Sequence, residues 1–244
     1  MIRVFIGYDD SEPAAYHTCV DSLIQHSSEP LQITPLALNN MAPFYRETHT
    51  DGSNAFIYSR FLVPYMCGFN GFALYLDGDM VVTTDIGQLW DARNHYCAAQ
   101  VVKHDDYKTK AQTKYLGNKN EDYPRKNWSS VILWNAGHYA HRRLTPETIA
   151  RMTGAELHRF TWIPEDRLGS LNPKWNHLIS EHESDDDAYL YHYTLGLPAF
   201  WHYTACDHAD VWHRAYLRAA SVGGESPRNI AQRAEEHTHV QHHG

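Results

Sequence analysis

The chain reads as an α/β layered fold, because short apolar strands alternate along it with stretches of helical spacing and two of the joins carry cap-like polar clusters. Its length agrees: 244 residues suffice for one large domain burying about three-quarters of its unfolded surface. A composition of 43% hydrophobic and 20% charged residues excludes wholesale disorder. The 13% aromatic content is high and points to binding surfaces as well as a core.

Arg3 to Tyr8 is β-rich and ends in Asp9, Asp10, Ser11, Glu12 and Pro13, a strand handing over to a capped helix with proline in its first turn. Tyr16, Cys19, Val20, Leu23 and Ile24 then recur at helical spacing, and Ser27 to Pro30 separates them from the apolar run Leu31 to Leu38, which completes a β-α-β unit. Residues 53 to 69 are aromatic and helical in pattern, with Pro64 forcing a kink or a second helix. Phe72 to Leu76 is a buried strand, Asp85 to Asp91 one or two helical turns, and Cys97 to Val102 and Ser129 to Trp134 are further strands. Between them, residues 103 to 126 form a polar, lysine-rich stretch longer than ordinary connections, either a solvated face or a functional loop. Thr145-Pro146-Glu147 opens a short helix, Leu171 to Ile179 carries Pro173 and Trp175, and Tyr189 to Tyr203 is dense in aromatics. Val211 to Ala220 forms a last helix, and the end of the chain, with His237, His239, His242 and His243, is expected to fray.

A formal net charge of −8 has the wrong sign for holding nucleic acid by counterion release. The first ten residues lack the order of a signal peptide, and no apolar run approaches the ~20 residues of a membrane span, since Asp77 and Asp79 interrupt the strongest candidate. Cys19, Cys67, Cys97 and Cys206 are scattered without a C-x-x-C pair, as expected of reduced thiols in a cytoplasmic protein.

Asp77-Gly78-Asp79 follows directly on a buried strand, which sets two carboxylates at the strand end where α/β folds place ligands. Adjacent like charges need a cation or strong donor, and hard oxygens suit magnesium or manganese bridging to a diphosphate. The plainer reading is a tight turn that uses Asp and Gly for backbone reasons.

Several stretches in order resemble the GT-A-fold glycosyltransferases, in particular the retaining, nucleotide-sugar-dependent family 8 type. They are VFIGYDD with Tyr16 downstream, YSRFLVPY, FALYLDGDMVVTTDIGQLW, SSVILWNAGHYAHRRLT, LNPKWNHL and YHYTLGLPAFW, together covering roughly residues 1 to 203. The resemblance implies a Rossmann-like single domain over residues 1 to 205, with a mixed, mostly parallel sheet and helices on both faces, followed by a helix and His-rich tail over 206 to 244. It implies a nucleoside site at Tyr8 and Asp9, with Arg60 near the ribose and the carboxylates. Asp77, Gly78, Lys103, Gly137 and Trp175 complete the donor contacts. The metal ligands it implies are Asp77, Asp79 and His192, with His202 the competing histidine. Asn135 is the implied sugar contact, and Glu165 or Asp166 stands nearest to the family's donor-sugar acids.

Two features depart from the family. Leu195 adds a residue to the late histidine segment, and the lysine that grips the diphosphate there is missing, leaving Lys103, Lys126, Arg167 and Lys174 as substitutes. For Arg60 a snorkelling helix arginine competes with a carboxylate-paired one, and for Trp128, Trp134, Trp175 and Trp201 a core role competes with a sugar-binding face. His17, His26 and His95 have no motif around them.

The function so implied is transfer of a sugar from a UDP-sugar, with Mn2+ or Mg2+, to an unidentified hydroxyl acceptor on a glycan, lipid-linked species, protein or nucleobase. Oligomeric state is open. A phosphohydrolase of the HAD type, with Asp77 as nucleophile, and an inert sugar- or nucleotide-binding module are the alternatives.

Overall fold

The computed structural model describes residues 1 to 222, apart from 53, 105, 106, 115, 116 and 118, together with residue 229; the four histidines of the expected tail lie outside the described residues. β1 (Ile2–Gly7), α1 (Pro13–Gln25) and β2 (Leu31–Leu36) form the expected β-α-β unit, with Pro13 in the first turn of α1. A single turn, α2 (Leu38–Met41), follows. The kinked helix expected around Pro64 is shorter: a 3-10 turn over Ser59–Leu62 runs into α3 (Val63–Met66), with Pro64 in its first turn. Next come β3 (Phe72–Leu76), β4 (Met80–Val82), α4 (Ile86–Asp91), β5 (Ala99–Val101) and β6 (Val131–Asn135). The remaining elements are α5 (Pro146–Ile149), α6 (Gly154–His158), β7 (Leu168–Ser170), β8 (His177–Leu178), β9 (Leu190–His192) and α7 (Ala209–Ala219).

The main sheet has the order β2-β1-β3-β6-β5-β7. All its neighbours are parallel except at β6, which runs against both β3 and β5. Side chains alternate across it as strand geometry requires. Ile2, Val4, Ile6, Leu74, Leu76, Val131 and Leu133 share one face with Cys19 and Leu23 of α1, and Ile86 and Leu89 of α4. Phe5, Ala73, Tyr75, Ile132 and Trp134 share the other with Phe61, Leu62, Ile149, Leu157 and Phe160. Helices therefore cover both faces. Pro35 is tolerated because β2 is an edge strand.

A second sheet, β4-β9-β8, packs beneath α7, whose Trp212 is buried with Val81, Tyr191 and Tyr193. The helix beyond residue 205 is thus part of the same packed body. α1 differs from its expected apolar stripe: Ile24 is 58% exposed, while Thr18 and Ser22 are buried. Ser22 Oγ donates to the Cys19 carbonyl at 2.8 Å and accepts from Val82 N–H at 3.0 Å, so a polar residue splices helix to strand.

Ser22→Ala leaves the Val82 N–H buried and unpaired and should cost about 1–3 kcal/mol in urea denaturation. A second expectation concerns acid. Burial pulls His141 down to about 4, against the hydrogen bond to the Ala98 carbonyl, and burial followed by Arg60 pulls His158 down to about 3. The unfolded chain protonates these imidazoles near 6.5 and the folded chain does not, so stability is full above that pH and falls towards pH 4. Each should contribute about 1.4 kcal/mol per pH unit in that window. Burial also pulls His104 down to about 3 and His182 to about 4, so urea midpoints at pH 7, 6 and 5 measure a summed slope, from which His141→Asn should remove about 1.4 kcal/mol per pH unit.

Candidate active site

β1 and β3 are parallel neighbours with Ile6 opposite Leu76, so their carboxyl ends meet at one rim. The chain leaves β3 through Asp77-Gly78-Asp79, pressed onto the end of β1. A Cβ on Gly78 would stand 2.5 Å from the Gly7 carbonyl oxygen, and one on Gly7 would stand 2.5 Å from the Phe56 ring. Only glycine permits this approach, which fixes the turn that separates the two carboxylates.

Asp77 is 7% exposed. Its Oδ1 accepts from the Tyr75 hydroxyl at 2.5 Å and lies 2.9 Å from Arg60 Nη1, whose guanidinium also donates to the Ser129 carbonyl. Arg60 is itself buried between the Phe56 and Tyr75 rings; it is a carboxylate-paired arginine, not a snorkelling one. Burial raises the Asp77 pKa against the pull of Arg60, and the neighbouring Asp79 raises it further. For Asp79 burial pushes upward too, but His192 and Lys114 outweigh it and hold the group below its ordinary value.

β9 pairs antiparallel with β4, and its register sets His192 opposite Met80, immediately after Asp79. His192 Nε2 lies 3.3 Å from Asp79 Oδ1 and 4.0 Å from Asp77 Oδ2. Its Nδ1 is 3.0 Å from Asn176 Oδ1. The Asn176 amide nitrogen donates to Ser130 Oγ and to the Asn127 carbonyl, which turns its oxygen towards His192. The hydrogen-bond network therefore assigns a proton to Nδ1 and turns Nε2 towards the carboxylates.

One ligand atom from each of Asp77, Asp79 and His192 falls within 4.8 Å of the others. Asp79 Oδ1 is buried, and among the described residues its one close polar contact is the 3.3 Å approach of His192 Nε2. Two carboxylates and an imidazole are a donor set that fits manganese, and a cation there would satisfy that oxygen. The adjoining cavity, about 70 Å³, is also lined by Asn54, Arg60, Asn127 and His158. Asn54 Oδ1, Arg60 Nε, Asn127 Nδ2 and His158 Nε2 are also buried and have no hydrogen-bond partner among the described residues. A cavity with this many unsatisfied polar atoms is built for a polar occupant.

The rim also gathers Asp9, which with Tyr16, Gly78 and Asp79 lines a shallow hollow, and Tyr8, whose ring meets Tyr16 edge-on at 5.5 Å. Asp9 is held by the Ala55 and Ser11 backbone N–H groups. Other expected residues stand elsewhere. Because β6 is antiparallel, Asn135 pairs with Phe72, five residues and about 17 Å along the strand from Asp77. There it donates to the His95 and Cys97 carbonyls, and Gly137 packs on Gly71 at the same end. Asn135 and Gly137 are corrected on this ground. The end of β6 that faces the site carries Asn127, Ser129 and Ser130 instead.

Glu165 pairs with Arg125 and Asp166 accepts from Tyr96; neither lines the cavity. Lys103 lies over the Trp128 ring, and Trp175 is a core residue packed on Tyr189, as Trp134 is a core residue of the opposite face. Trp201 is 79% exposed. Of the four substitute cations, Arg167 covers Tyr96, Lys174 pairs with Asp187, and Lys126 lies in a neighbouring cavity. The lysine that lines the carboxylate cavity is Lys114, from the polar loop, whose Nζ donates to Thr194 Oγ1 at 2.9 Å. Asn176, Asn127 and His158 carried no sequence signal of their own; the direction of β6 is what would have singled out Asn127.

No family model matches the chain. Protein CDI of Arabidopsis thaliana is 37% identical over 218 residues, covering 86% of this chain and 84% of that protein. The chain belongs to the protein CDI family. Among solved structures, this family member is similar to the apo bifunctional glycosyltransferase WbbM (TM-score 0.63, 15% identity, 94% of this chain), of which it spans 50%. It is also similar to the galactosyltransferase LgtC solved with donor and acceptor sugar analogues (TM-score 0.59, 14% identity, 91% of this chain and 98% of that one). A third likeness is the glycosyltransferase GlyE of Streptococcus pneumoniae TIGR4 (TM-score 0.59, 16% identity, 88% of this chain and 60% of that one). These likenesses show that the protein CDI family member has the GT-A fold. No helix among the described residues is long and apolar enough to cross a membrane.

Two measurements probe the cluster. Asn176→Leu keeps the branched shape but frees the His192 ring, and manganese affinity should drop about 10–100-fold by titration calorimetry. His192→Ala should weaken manganese binding by at least about tenfold. His202, exposed in the 3-10 turn Trp201–Tyr203, should leave it unchanged when replaced by alanine.

Proposed function

We propose that the chain is a metal-dependent glycosyltransferase that takes its sugar from a nucleoside diphosphate donor, a UDP-sugar, and passes it to a hydroxyl acceptor. The observation that carries this reading is the cluster of Asp77, Asp79 and His192 at the strand-end rim of a GT-A fold, beside a cavity of unsatisfied polar atoms. Manganese held by these three residues would neutralise the charge on the departing diphosphate.

The remaining work belongs to the chain. Arg60 and Tyr75 clamp one oxygen of Asp77, so the other stays aimed at the cluster. Asn176 holds His192 in the tautomer that presents Nε2. Lys114, reaching in from the loop, meets the diphosphate that the missing family lysine would have gripped. Tyr8, Asp9 and Tyr16 receive the nucleoside, and Asn54, Asn127 and His158 orient the sugar hydroxyls. His158 stays neutral over the physiological range, pushed down to about 3 by burial and then by Arg60, so it acts there as a hydrogen-bonding group and not as a base. The family 8 resemblance supports hexosyl transfer with retention. Four unpaired cysteines support a reducing, cytoplasmic setting. The phosphohydrolase alternative needs Asp77 as a free nucleophile, whereas Arg60 and Tyr75 already engage it.

Thermal denaturation tests this reading. UDP with manganese should raise the melting temperature of the wild-type chain through ligand linkage, while Asp79→Asn should lose the shift and keep its unliganded melting temperature. Proton NMR of the first-formed product should show the donor's anomeric configuration. No stabilisation by any nucleoside diphosphate with manganese would reject the proposal.

A further inference from the structure

The described residues of the polar segment 103 to 126 fold against the site. Its Thr113 and Lys119 form an antiparallel bridge, and buried Glu181 anchors it by accepting from Lys110 N–H and from Asn120 Nδ2. Beneath it lies a second, larger cavity of about 320 Å³ that shares Ile57, Lys114, Tyr123 and His158 with the carboxylate cavity. It is a chamber wide enough for a sugar ring, directly in front of the reacting site.

Its charge runs against that of the protein. The chain carries a net −8, yet seven of its 21 basic residues fall within residues 103 to 126, against four acids. Lys114, Lys119, Lys126 and Arg159 line the chamber, opposed by Asp51 and Glu121. Asp51 already accepts from the Tyr58 hydroxyl, and Glu121 lies 3.9 Å from Lys119. Lys126 is 6% exposed, and its ammonium donates to two neutral oxygens, Asn120 Oδ1 at 2.6 Å and the Glu121 carbonyl at 2.7 Å, which leaves one proton over. Burial, and then Lys114, lower its pKa to about 8. Asp122, Glu181 and Glu121 pull the other way, but the hydrogen bonds of the ammonium go to neutral oxygens, and a buried cation so placed is stabilised when an anion arrives. Tyr123, half-exposed at the junction, supplies an aromatic face of the kind sugars pack against.

We infer that this outer chamber is the acceptor subsite and that the acceptor is an anionic sugar, bearing a carboxylate or phosphate that Lys126 and Arg159 bind. The inference rests on the glycosyltransferase reading for the word acceptor; the anion preference of the chamber stands independently of it. The donor end is excluded as the source of this charge because the diphosphate belongs with the metal ligands and Lys114 in the inner cavity.

Saturation-transfer difference NMR on the full chain, with UDP and manganese present, tests this using glucuronate, glucose 6-phosphate and glucose as probes. Both anionic sugars should bind at least about tenfold more tightly than glucose, in line with one charged hydrogen bond. Lys126→Gln and Arg159→Gln should each remove that preference, and Lys126→Arg should restore it, which separates loss of charge from loss of fold. Equal affinity for glucose and glucuronate, or an undiminished preference in both Gln variants, would overturn the proposal. Competition between glucuronate and a UDP-sugar for one site would also overturn it, by moving the charge to the donor. If UDP with manganese fails to stabilise the wild-type chain while the anion preference persists, the catalytic reading falls and the anion chamber remains.

Discussion

Two carboxylates lie side by side at a buried rim, and the repulsion between them is the constraint around which the rest of the structure is arranged. Asp77 and Asp79 flank a glycine with no room for a side chain, so neither can swing away. Left alone, such a pair would protonate or push the turn apart. Here each carboxylate has its own compensation: Arg60 and Tyr75 for Asp77, His192 and the charge of Lys114 for Asp79. The arrangement holds both groups in place but leaves Asp79 Oδ1 with only the 3.3 Å contact to His192 Nε2, and an oxygen so weakly engaged in a polar cavity marks where a cation adds the most.

The compensating groups come from distant parts of the chain, which ties the site to the whole fold. Arg60 rises from the 3-10 turn before α3, His192 from the second sheet, and Lys114 from the loop anchored by Glu181. Asn176 ties the second sheet to the main one, since its amide reaches Ser130 and Asn127 beside β6 and His192 in β9. Loss of any one partner strands a buried charge, so changes far apart in sequence should converge on the same site.

Much of this was legible in the sequence because it depends on local signals. The strand β3, the carboxylate pair at its end, the helix α1 with Pro13 in its first turn and the pairing of Arg60 with an acid follow from apolar runs, turn residues and the rarity of buried unpaired charge, although the side-chain cap expected for α1 does not form. Strand direction is not a local signal. SSVILWN reads equally well either way round, and only the antiparallel pairing of β6 with β3 puts Asn127 and not Asn135 beside the carboxylates. The lysine was hidden for a related reason: nothing periodic in residues 103 to 126 says which of its cations turns inward, and the choice of Lys114 is made by contact with Thr194. Ser22 and Thr18 were hidden because a buried hydroxyl with backbone partners looks like a surface residue in a helical wheel.

The central claim is that one cation joins His192, the two carboxylates and a nucleoside diphosphate. Pulsed electron paramagnetic resonance of manganese added to the chain with UDP reads this directly, through hyperfine couplings from nitrogen and phosphorus. The account predicts an imidazole nitrogen coupling and a phosphorus coupling in the same sample, with the nitrogen coupling lost in His192→Ala. A spectrum with phosphorus but no nitrogen, identical to that of manganese with UDP free in solution, would contradict it.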